Sequence, residues 1–124
     1  MTLNNLVGIP WKLNGKDFRG TDCINILSMY FNYLKGRKFP YLKLRRHDDN
    51  EYLEKLLFSY GTQVSKYNIK PDDIMVFLIE NEIHAGIYLG FDKFLHSVSS
   101  VGSCIEHLRE EYRNKLQYGV RLNG

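Results

Sequence analysis

Apolar residues recur with helical spacing in two segments of the N-terminal half of the chain. The first segment, residues 23–35, follows the candidate N-caps Thr21 and Asp22 and ends before Gly36, a residue type common just beyond helix C-termini. The second segment covers residues 50–60. Both segments are therefore predicted to be helices. Their apolar faces are formed by Ile24, Leu27, Phe31 and Leu34 in the first and by Leu53, Leu56 and Leu57 in the second.

The pattern changes to that of β-strands in the second half of the chain. Residues 74–79 are a short run rich in β-branched side chains, residues 83–89 alternate along the strand period, and residues 94–98 predict a third strand. Further along, Ser103 and Glu106 match a capping box and predict a last helix. Helices followed by an antiparallel β-meander indicate an α+β domain. The apolar face of the last helix would be formed by Ile105, Leu108, Tyr112 and Leu116.

The segments between these elements are predicted to be turns and loops. Residues 1–20 contain several Gly and Asn residues that are typical of turns. Residues 39–49 predict a loop with a basic cluster at Lys43, Arg45 and Arg46. Because no repeat, linker or shift in composition divides the chain, residues 1–124 predict one domain.

Composition and charge exclude several classes of protein. With 44% hydrophobic and 25% charged residues, the chain has the balance of a globular domain rather than of a disordered segment. Its longest apolar run, residues 74–79, is far shorter than the roughly 20 residues of a membrane-spanning helix. The net charge of +3 is spread along the chain, which predicts no nucleic-acid partner. Residues 1–10 lack the features of a secretory signal, so we expect synthesis in the cytoplasm.

Two histidines fall on one face of the last predicted hairpin. A three-residue loop would pair Leu89 with Lys93 and set Gly86 opposite His96. His84 and His96 would then be diagonal neighbours, roughly 7–8 Å apart at the backbone, with space left between them by Gly86. A slip of one residue in the register would move the two histidines to opposite faces of the sheet.

Cys23 lies at the predicted N-terminus of the first helix, where the helix dipole favours a negative charge and lowers the pKa of a thiol. A thiolate, an imidazole base and a group that orients the base form a nucleophilic acyl-transfer site, and Cys23, His84 and His96 could take these roles. Taken alone, the same residues also fit a small core cysteine with structural histidines. The same three residues could also begin a zinc site, but that needs a fourth ligand and no Cys-x-x-Cys or His-Glu-x-x-His pattern is present, so we predict no metal and no cofactor.

Five short segments follow one another along the chain: GIPW at 8–11, GTDC at 20–23, PDDIMVF at 71–77, HAGIYLG at 84–90 and FLHS at 94–97. Together they resemble the motifs of the NlpC-type cell-wall cysteine peptidases, a papain-like family. The resemblance implies a papain-like α+β fold in which N-terminal helices pack on an antiparallel sheet. It also implies that Cys23 is the nucleophile, His84 the general base and His96 the residue that orients it. The substrate implied is the peptidoglycan stem peptide, cleaved at an amide bond.

The resemblance also assigns supporting roles near the nucleophile. The backbone N–H of Cys23 is the expected oxyanion donor, and Asp22 is expected to be structural or capping. Trp11 stands where the family commonly has Tyr, so either an indole N–H would replace a hydroxyl near the substrate or oxyanion, or the ring would serve packing. Ile24 and Asn25 replace the usual Ser-Gly after the cysteine, which points toward members with phage tail roles.

The sequence therefore predicts a cysteine hydrolase of peptidoglycan stem peptides, encoded by a phage or prophage. It would reach the cell wall with a phage particle or during lysis, and other phage tail proteins would be its partners. Two alternatives stay open. One is a structural phage tail component that keeps the fold with little activity. The other is a papain-like amidase or acyltransferase with a substrate outside the cell wall.

Overall fold

The computed structural model describes residues 1–42 and 50–124. The predicted loop over residues 39–49 and its basic cluster fall mostly outside these ranges. In chain order the elements are a 3-10 helix (Leu3–Leu6), β1 (Lys16–Asp17), β2 (Gly20–Thr21), α1 (Asn25–Met29) continued by a π-helical segment (Tyr30–Leu34), α2 (Asn50–Tyr60), β3 (Gly61–Val64), β4 (Ile74–Ile79), β5 (Glu82–Gly90), β6 (Lys93–Val98), β7 (Gly102–His107), α3 (Glu110–Lys115) and β8 (Leu116–Leu122).

Six antiparallel strands form the main sheet in the order β3-β8-β4-β5-β6-β7. Strands β4 to β7 follow one another as a meander, while β8 returns to the free side of β4 and β3 pairs with β8. The short strands β1 and β2 form a separate pair just before the first helix. Helices combined with an antiparallel sheet confirm the predicted α+β class.

Both faces of the main sheet are covered by apolar side chains. In β4, Ile74 and Val76 belong to the cluster beneath the helices, whereas Met75 and Phe77 belong to a second cluster on the opposite face. This explains why residues 74–79 read as a continuous apolar run rather than as an alternation. The first cluster includes Leu27, Phe31, Leu53, Leu57, Ala85, Ile87 and Leu95, and the second includes Phe94, Leu108 and Leu116.

The first helix begins two residues later than predicted and ends where expected. The carboxylate of Asp22 accepts hydrogen bonds from the backbone N–H groups of Ile24 at 3.0 Å and Asn25 at 2.7 Å, which satisfies donors at the helix start. Its other oxygen accepts from the N–H of Asn14 at 2.8 Å and fixes the preceding turn. Gly36 has φ of 61° and ends the helical segment in the left-handed region.

The prediction of a helix starting at Ser103 is wrong. Residues 102–107 form β7 and pair with β6 along its whole length, and the following helix α3 is short. Ser103 does not cap a helix, because its hydroxyl accepts from the N–H of Ile9 at 2.8 Å while its own N–H donates to the carbonyl of Ile9 at 2.9 Å. The residues predicted to form the apolar face of this helix are still partly buried, since Leu108 and Leu116 lie in the second cluster.

The β5–β6 hairpin has the predicted register at its centre but not at its loop. Gly86 lies opposite His96 as predicted. The closing pair is Gly90 with Lys93 rather than Leu89 with Lys93, because Leu89 forms a bulge. The physical reason is a two-residue turn at residues 91–92, where both φ angles are positive and suit the twist of the strands.

Within residues 1–42 and 50–124, every helix is too short or too polar to cross a bilayer.

Candidate active site

Three separate elements bring the predicted catalytic residues together. Cys23 precedes α1, His84 lies in β5 and His96 lies in β6. Cys23 and His84 line one cavity of about 540 Å3, and Nε2 of His84 lies 2.7 Å from Nδ1 of His96. The structure thus places the Cys23 thiol and the His84 ring at the wall of one cavity, with His96 hydrogen-bonded to His84. The other cavity-lining residues are Trp11, Ile79, Glu80, Glu82, Ile83, Ser97, Val98, Ser99 and Tyr112.

The segment before Cys23 is held in place by backbone hydrogen bonds. The N–H of Thr21 donates to the carbonyl of Pro10 at 3.0 Å, and the N–H of Lys12 donates to the carbonyl of Thr21 at 3.0 Å. Trp11, which lies between these two bonds, is therefore fixed against the residue that leads into Asp22 and Cys23. This pairing brings the indole to the wall of the same cavity.

The strand on which His84 lies also contacts the sulfur. The backbone of Ala85, the residue after His84, hydrogen-bonds to the Cys23 thiol, which lowers its pKa somewhat. Burial and the neighbouring Asp22 carboxylate outweigh this effect and raise the pKa of Cys23 to about 12. The expectation of a lowered thiol pKa is therefore wrong. The helix N-terminus favours a thiolate, but the loss of hydration and a nearby negative charge disfavour it more strongly.

Burial acts on the two histidines in the opposite sense. It lowers the pKa of His84 to about 3, with a smaller contribution from His96. Burial also lowers the pKa of His96, while the hydrogen bond and the charge of Glu106 act to raise it. In the resting state the site consequently holds a neutral thiol and neutral imidazoles. Such a pair is suited to general-base activation of the thiol and is not a preformed thiolate–imidazolium pair.

We expect His84 and Cys23 to stay uncharged between about pH 5 and 8, because the His84 pKa is low and the Cys23 pKa is high. Nitrogen NMR of labelled histidines should show a neutral His84 ring across this range. The thiolate absorbance of the wild type should match that of Cys23→Ala near neutral pH. An imidazolium spectrum for His84 at about pH 7, together with thiolate absorbance, would contradict the prediction.

Two residues that the sequence did not assign to the site extend the row of histidines. Nε2 of His96 hydrogen-bonds to Oε2 of Glu106 in β7, and the hydroxyl of Tyr112 donates to the same oxygen at 3.1 Å. Glu106 lies opposite Phe94, two residues from His96 along β6, and therefore shares its face of the sheet. The strand period of residues 102–107 would have located Glu106, had the capping-box match not favoured a helix.

Gly86 allows β5 and β6 to approach each other next to the histidines. A Cβ atom at this position would lie 3.0 Å from the carbonyl oxygen of Leu95, 3.0 Å from the ring of Phe94 and 3.4 Å from Cβ of His96. Any larger residue would therefore displace the strand that carries His96.

Three side chains with metal-ligating atoms, one of them from the histidine row, lie close together. His96, Cys104 and Glu106 offer three ligand atoms within 4.8 Å of one another. Three protein ligands and a water are typical of an open zinc site. This group shares only His96 with the zinc arrangement considered from the sequence, and His96 and Glu106 are already hydrogen-bonded to each other.

Comparison with known sequences gives a match over most of the chain. Residues 8–122 match the NlpC/P60 family. The chain is 28% identical over 109 residues to the probable endopeptidase NlpC homolog of Haemophilus influenzae, covering 88% of this chain and 52% of that protein. It is 26% identical over 109 residues to the murein DD-endopeptidase MepS/murein LD-carboxypeptidase of Escherichia coli K12, covering 87% of this chain and 52% of that protein. The chain thus spans about half the length of these two relatives.

The fold is also similar to that of solved structures. The crystal structure of the NlpC/p60 domain of the peptidoglycan hydrolase SagA superposes with a TM-score of 0.68 and 17% sequence identity, over 96% of this chain and 92% of that one. At this identity the likeness concerns the fold, and it confirms the predicted NlpC-type α+β architecture. Because residues 8–122 match the NlpC/P60 family, the chain belongs to that family.

Proposed function

We propose that this protein is a cysteine hydrolase that cleaves amide bonds in peptidoglycan stem peptides. The observation that carries the proposal is the position of Cys23 and His84 at the wall of one cavity, with Nδ1 of His96 2.7 Å from Nε2 of His84. The names of its relatives agree with this class of reaction, since they are an endopeptidase homolog and a murein endopeptidase. Endopeptidase chemistry by a thiol requires a nucleophile, a base and an orienting group, and these three residues supply them.

The first half of the proposed reaction forms a thioester. As Sγ of Cys23 attacks the amide carbonyl, the S–H bond breaks and its proton moves to Nδ1 of His84, the ring nitrogen that does not contact His96. The imidazolium then donates this proton to the nitrogen of the leaving amine as the C–N bond breaks. The products of this step are a free amine, neutral His84 and an acyl group on Cys23.

The second half returns the enzyme to its starting state. Neutral His84 takes a proton from water as the water oxygen attacks the thioester carbonyl, and the proton passes to the departing sulfur of Cys23. During both halves a negative charge develops on the carbonyl oxygen. The backbone N–H of Cys23 and the indole N–H of Trp11 are the donors that we assign to this oxygen.

The cavity fits part of a peptide with a free amine. Its volume of about 540 Å3 lies within the range of about 300–1,000 Å3 found for small-molecule sites. Glu80, in the turn between β4 and β5, and Glu82, the first residue of β5, bring two carboxylates to its wall. Stem peptides contain a diamino acid, whose side-chain ammonium would be attracted by these carboxylates. Delivery by a phage particle stays a prediction, and the proposed chemistry does not depend on it.

The proposal is tested by incubating the protein with purified peptidoglycan and identifying the released fragments by mass spectrometry. We expect a single defined cleavage within the stem peptide, which also names the bond. If no fragment appears and Cys23 is inert to a thiol reagent, the structural alternative replaces the proposal. If the peptidoglycan stays intact but a small amide or thioester substrate is turned over, the amidase or acyltransferase alternative replaces the proposal.

A further inference from the structure

A carboxylate continues the histidine row beyond the three residues of the proposed mechanism. The His96 side chain is fully buried, whereas the Glu106 side chain is 40% exposed and reaches inward from β7 to hydrogen-bond with Nε2 of His96. Tyr112 donates its hydroxyl proton to the same carboxylate oxygen at 3.1 Å. A hydrogen-bonded row therefore runs from His84 through His96 to a carboxylate that is itself held by a phenol, and His84 shares the cavity wall with Cys23.

We propose that Glu106 is a positioning residue that fixes which nitrogen of His84 is free to accept the proton of Cys23. This inference rests on the proposed function, because it assigns the tautomers of the base used there. Glu106 touches neither the thiol nor the cavity, and it acts through His96. The effect of Glu106 requires no direct contact with Cys23 or His84.

The order of hydrogens follows from the chemistry of the partners. An ionised carboxylate only accepts hydrogen bonds, so Nε2 of His96 carries a proton and donates it to Glu106. Nδ1 of His96 then has a lone pair and accepts from Nε2–H of His84 at 2.7 Å. A neutral His84 protonated on Nε2 has its lone pair on Nδ1. That atom is the acceptor that the thiol of Cys23 needs.

Without the carboxylate the opposite order is equally compatible with the same geometry. His96 would carry its proton on Nδ1 and donate to Nε2 of His84, and His84 would then carry its proton on Nδ1. In this order Nδ1 of His84 is a donor and cannot take the thiol proton. Two imidazoles alone therefore do not specify a base, whereas two imidazoles and a carboxylate do.

The charge of Glu106 adds to this effect once the thiol proton has moved. The proton transfer turns His84 into an imidazolium, with the electron pair of the S–H bond left on the sulfur. The negative charge at the far end of the row stabilises the positive charge on the histidines, in the same sense in which Glu106 raises the pKa of His96. Tyr112 keeps its proton for this purpose, since burial and Glu106 raise its pKa to about 12.

The test compares Glu106→Gln with the matched control Glu110→Gln, a neighbouring glutamate on the exposed surface of α3. The glutamine side chain has nearly the same size, but its amide can turn an NH2 group toward Nε2 of His96 and so favour the reversed order. We expect kcat for stem-peptide cleavage to fall about 10–100-fold with little change in KM. Nitrogen NMR should show a new population of His84 protonated on Nδ1. Glu110→Gln should match the wild type in both measurements.

A second variant keeps the test informative if Glu106→Gln folds poorly. Tyr112→Phe removes one donor to Glu106 but leaves the carboxylate, so the order of hydrogens should persist and kcat should fall by less than about tenfold. Both variants are assayed with a chelator present. A requirement for added zinc would overturn the proposal, because Glu106 would then act as a metal ligand with His96 and Cys104.

The proposal about Glu106 and the proposed function fail in different ways. The NMR spectra, and the rate of alkylation of Cys23 followed by peptide mass spectrometry, need no peptidoglycan. If the wild type leaves stem peptides intact while Glu106→Gln still reverses the His84 tautomer and slows alkylation, only the proposed substrate is wrong. If Glu106→Gln leaves the tautomer, the alkylation rate and kcat unchanged, Glu106 merely satisfies a buried histidine and the proposal is overturned.

Discussion

Replacement of Cys23 by alanine should reduce the release of stem-peptide fragments at least about 10^4-fold, to the level of a blank without enzyme. The reason is that the proposed reaction passes through a thioester, so no slower route remains once the sulfur is gone. The measurement is the rate of fragment release from purified peptidoglycan, quantified by mass spectrometry. Thermal unfolding should differ little between the two proteins, because the substitution removes only one sulfur atom.

The second cysteine provides the matched control for this experiment. Cys104 is also a free, partly buried thiol, and it lies in β7 outside the row formed by His84, His96 and Glu106. Cys104→Ala should retain cleavage within about threefold of the wild type, since that substitution removes no group from the proposed reaction. Fragment release by Cys23→Ala at a rate near that of Cys104→Ala would show that Cys23 is not the nucleophile.

The central strands could be predicted because their signals are local. Residues 74–79 combine β-branched side chains with a preceding turn, and residues 83–89 alternate in a way that only a strand explains. The register that places His84 and His96 on one face then follows from a short loop. The predicted closing pair of this hairpin is wrong, but the bulge at Leu89 restores the predicted register by Gly86.

The segment that begins at β7 could not be predicted because two local patterns there agree on a helix that the tertiary structure does not form. Ser103 and Glu106 have capping-box spacing, but Ser103 bonds to Ile9, far away in sequence, and Glu106 bonds to His96 on the neighbouring strand. Strands β3 and β8 pair across nearly half the chain and carry weak signals of their own. Consequently Glu106, which belongs to this misassigned segment, was missed as part of the site.

The direction of the pKa shift of Cys23 could not be predicted from the sequence either. The position of Cys23 before a helix predicts a lowered pKa, and this is the only effect that spacing reveals. The opposing effects come from burial against β5 and from the orientation of Asp22, which faces the helix start and leaves its charge close to the sulfur. Both depend on packing in three dimensions, and here they decide the direction of the shift.

Phe94→Ala should lower the free energy of unfolding by about 3–5 kcal/mol, the usual effect of removing a buried phenylalanine ring. Phe94 is fully buried, and its ring centroid lies 4.4 Å from that of His96, 5.2 Å from that of Tyr112 and 5.4 Å from that of Phe77. Phe94 therefore packs both in the second cluster and against the histidine row. Urea unfolding at constant temperature measures the change.

The same hairpin contains a control of identical chemistry. Phe91 is 96% exposed, so Phe91→Ala should change the free energy of unfolding by no more than about 0.5 kcal/mol. Phe94→Leu should fall between the two alanine variants, because it refills part of the cavity. If Phe94→Ala costs no more than Phe91→Ala, the second cluster is not a packed core.

Activity separates the two roles of the Phe94 ring. The cavity left by Phe94→Ala admits water to His96, whose pKa is lowered by burial, so the pKa of this histidine should rise toward its ordinary value. The folded fraction of Phe94→Ala should then have a lower specific activity than the wild type. Phe94→Leu should lose activity only in proportion to its unfolded fraction. Equal specific activity of folded Phe94→Ala and wild type would mean that the aromatic cluster stabilises the fold without holding the histidines in their order.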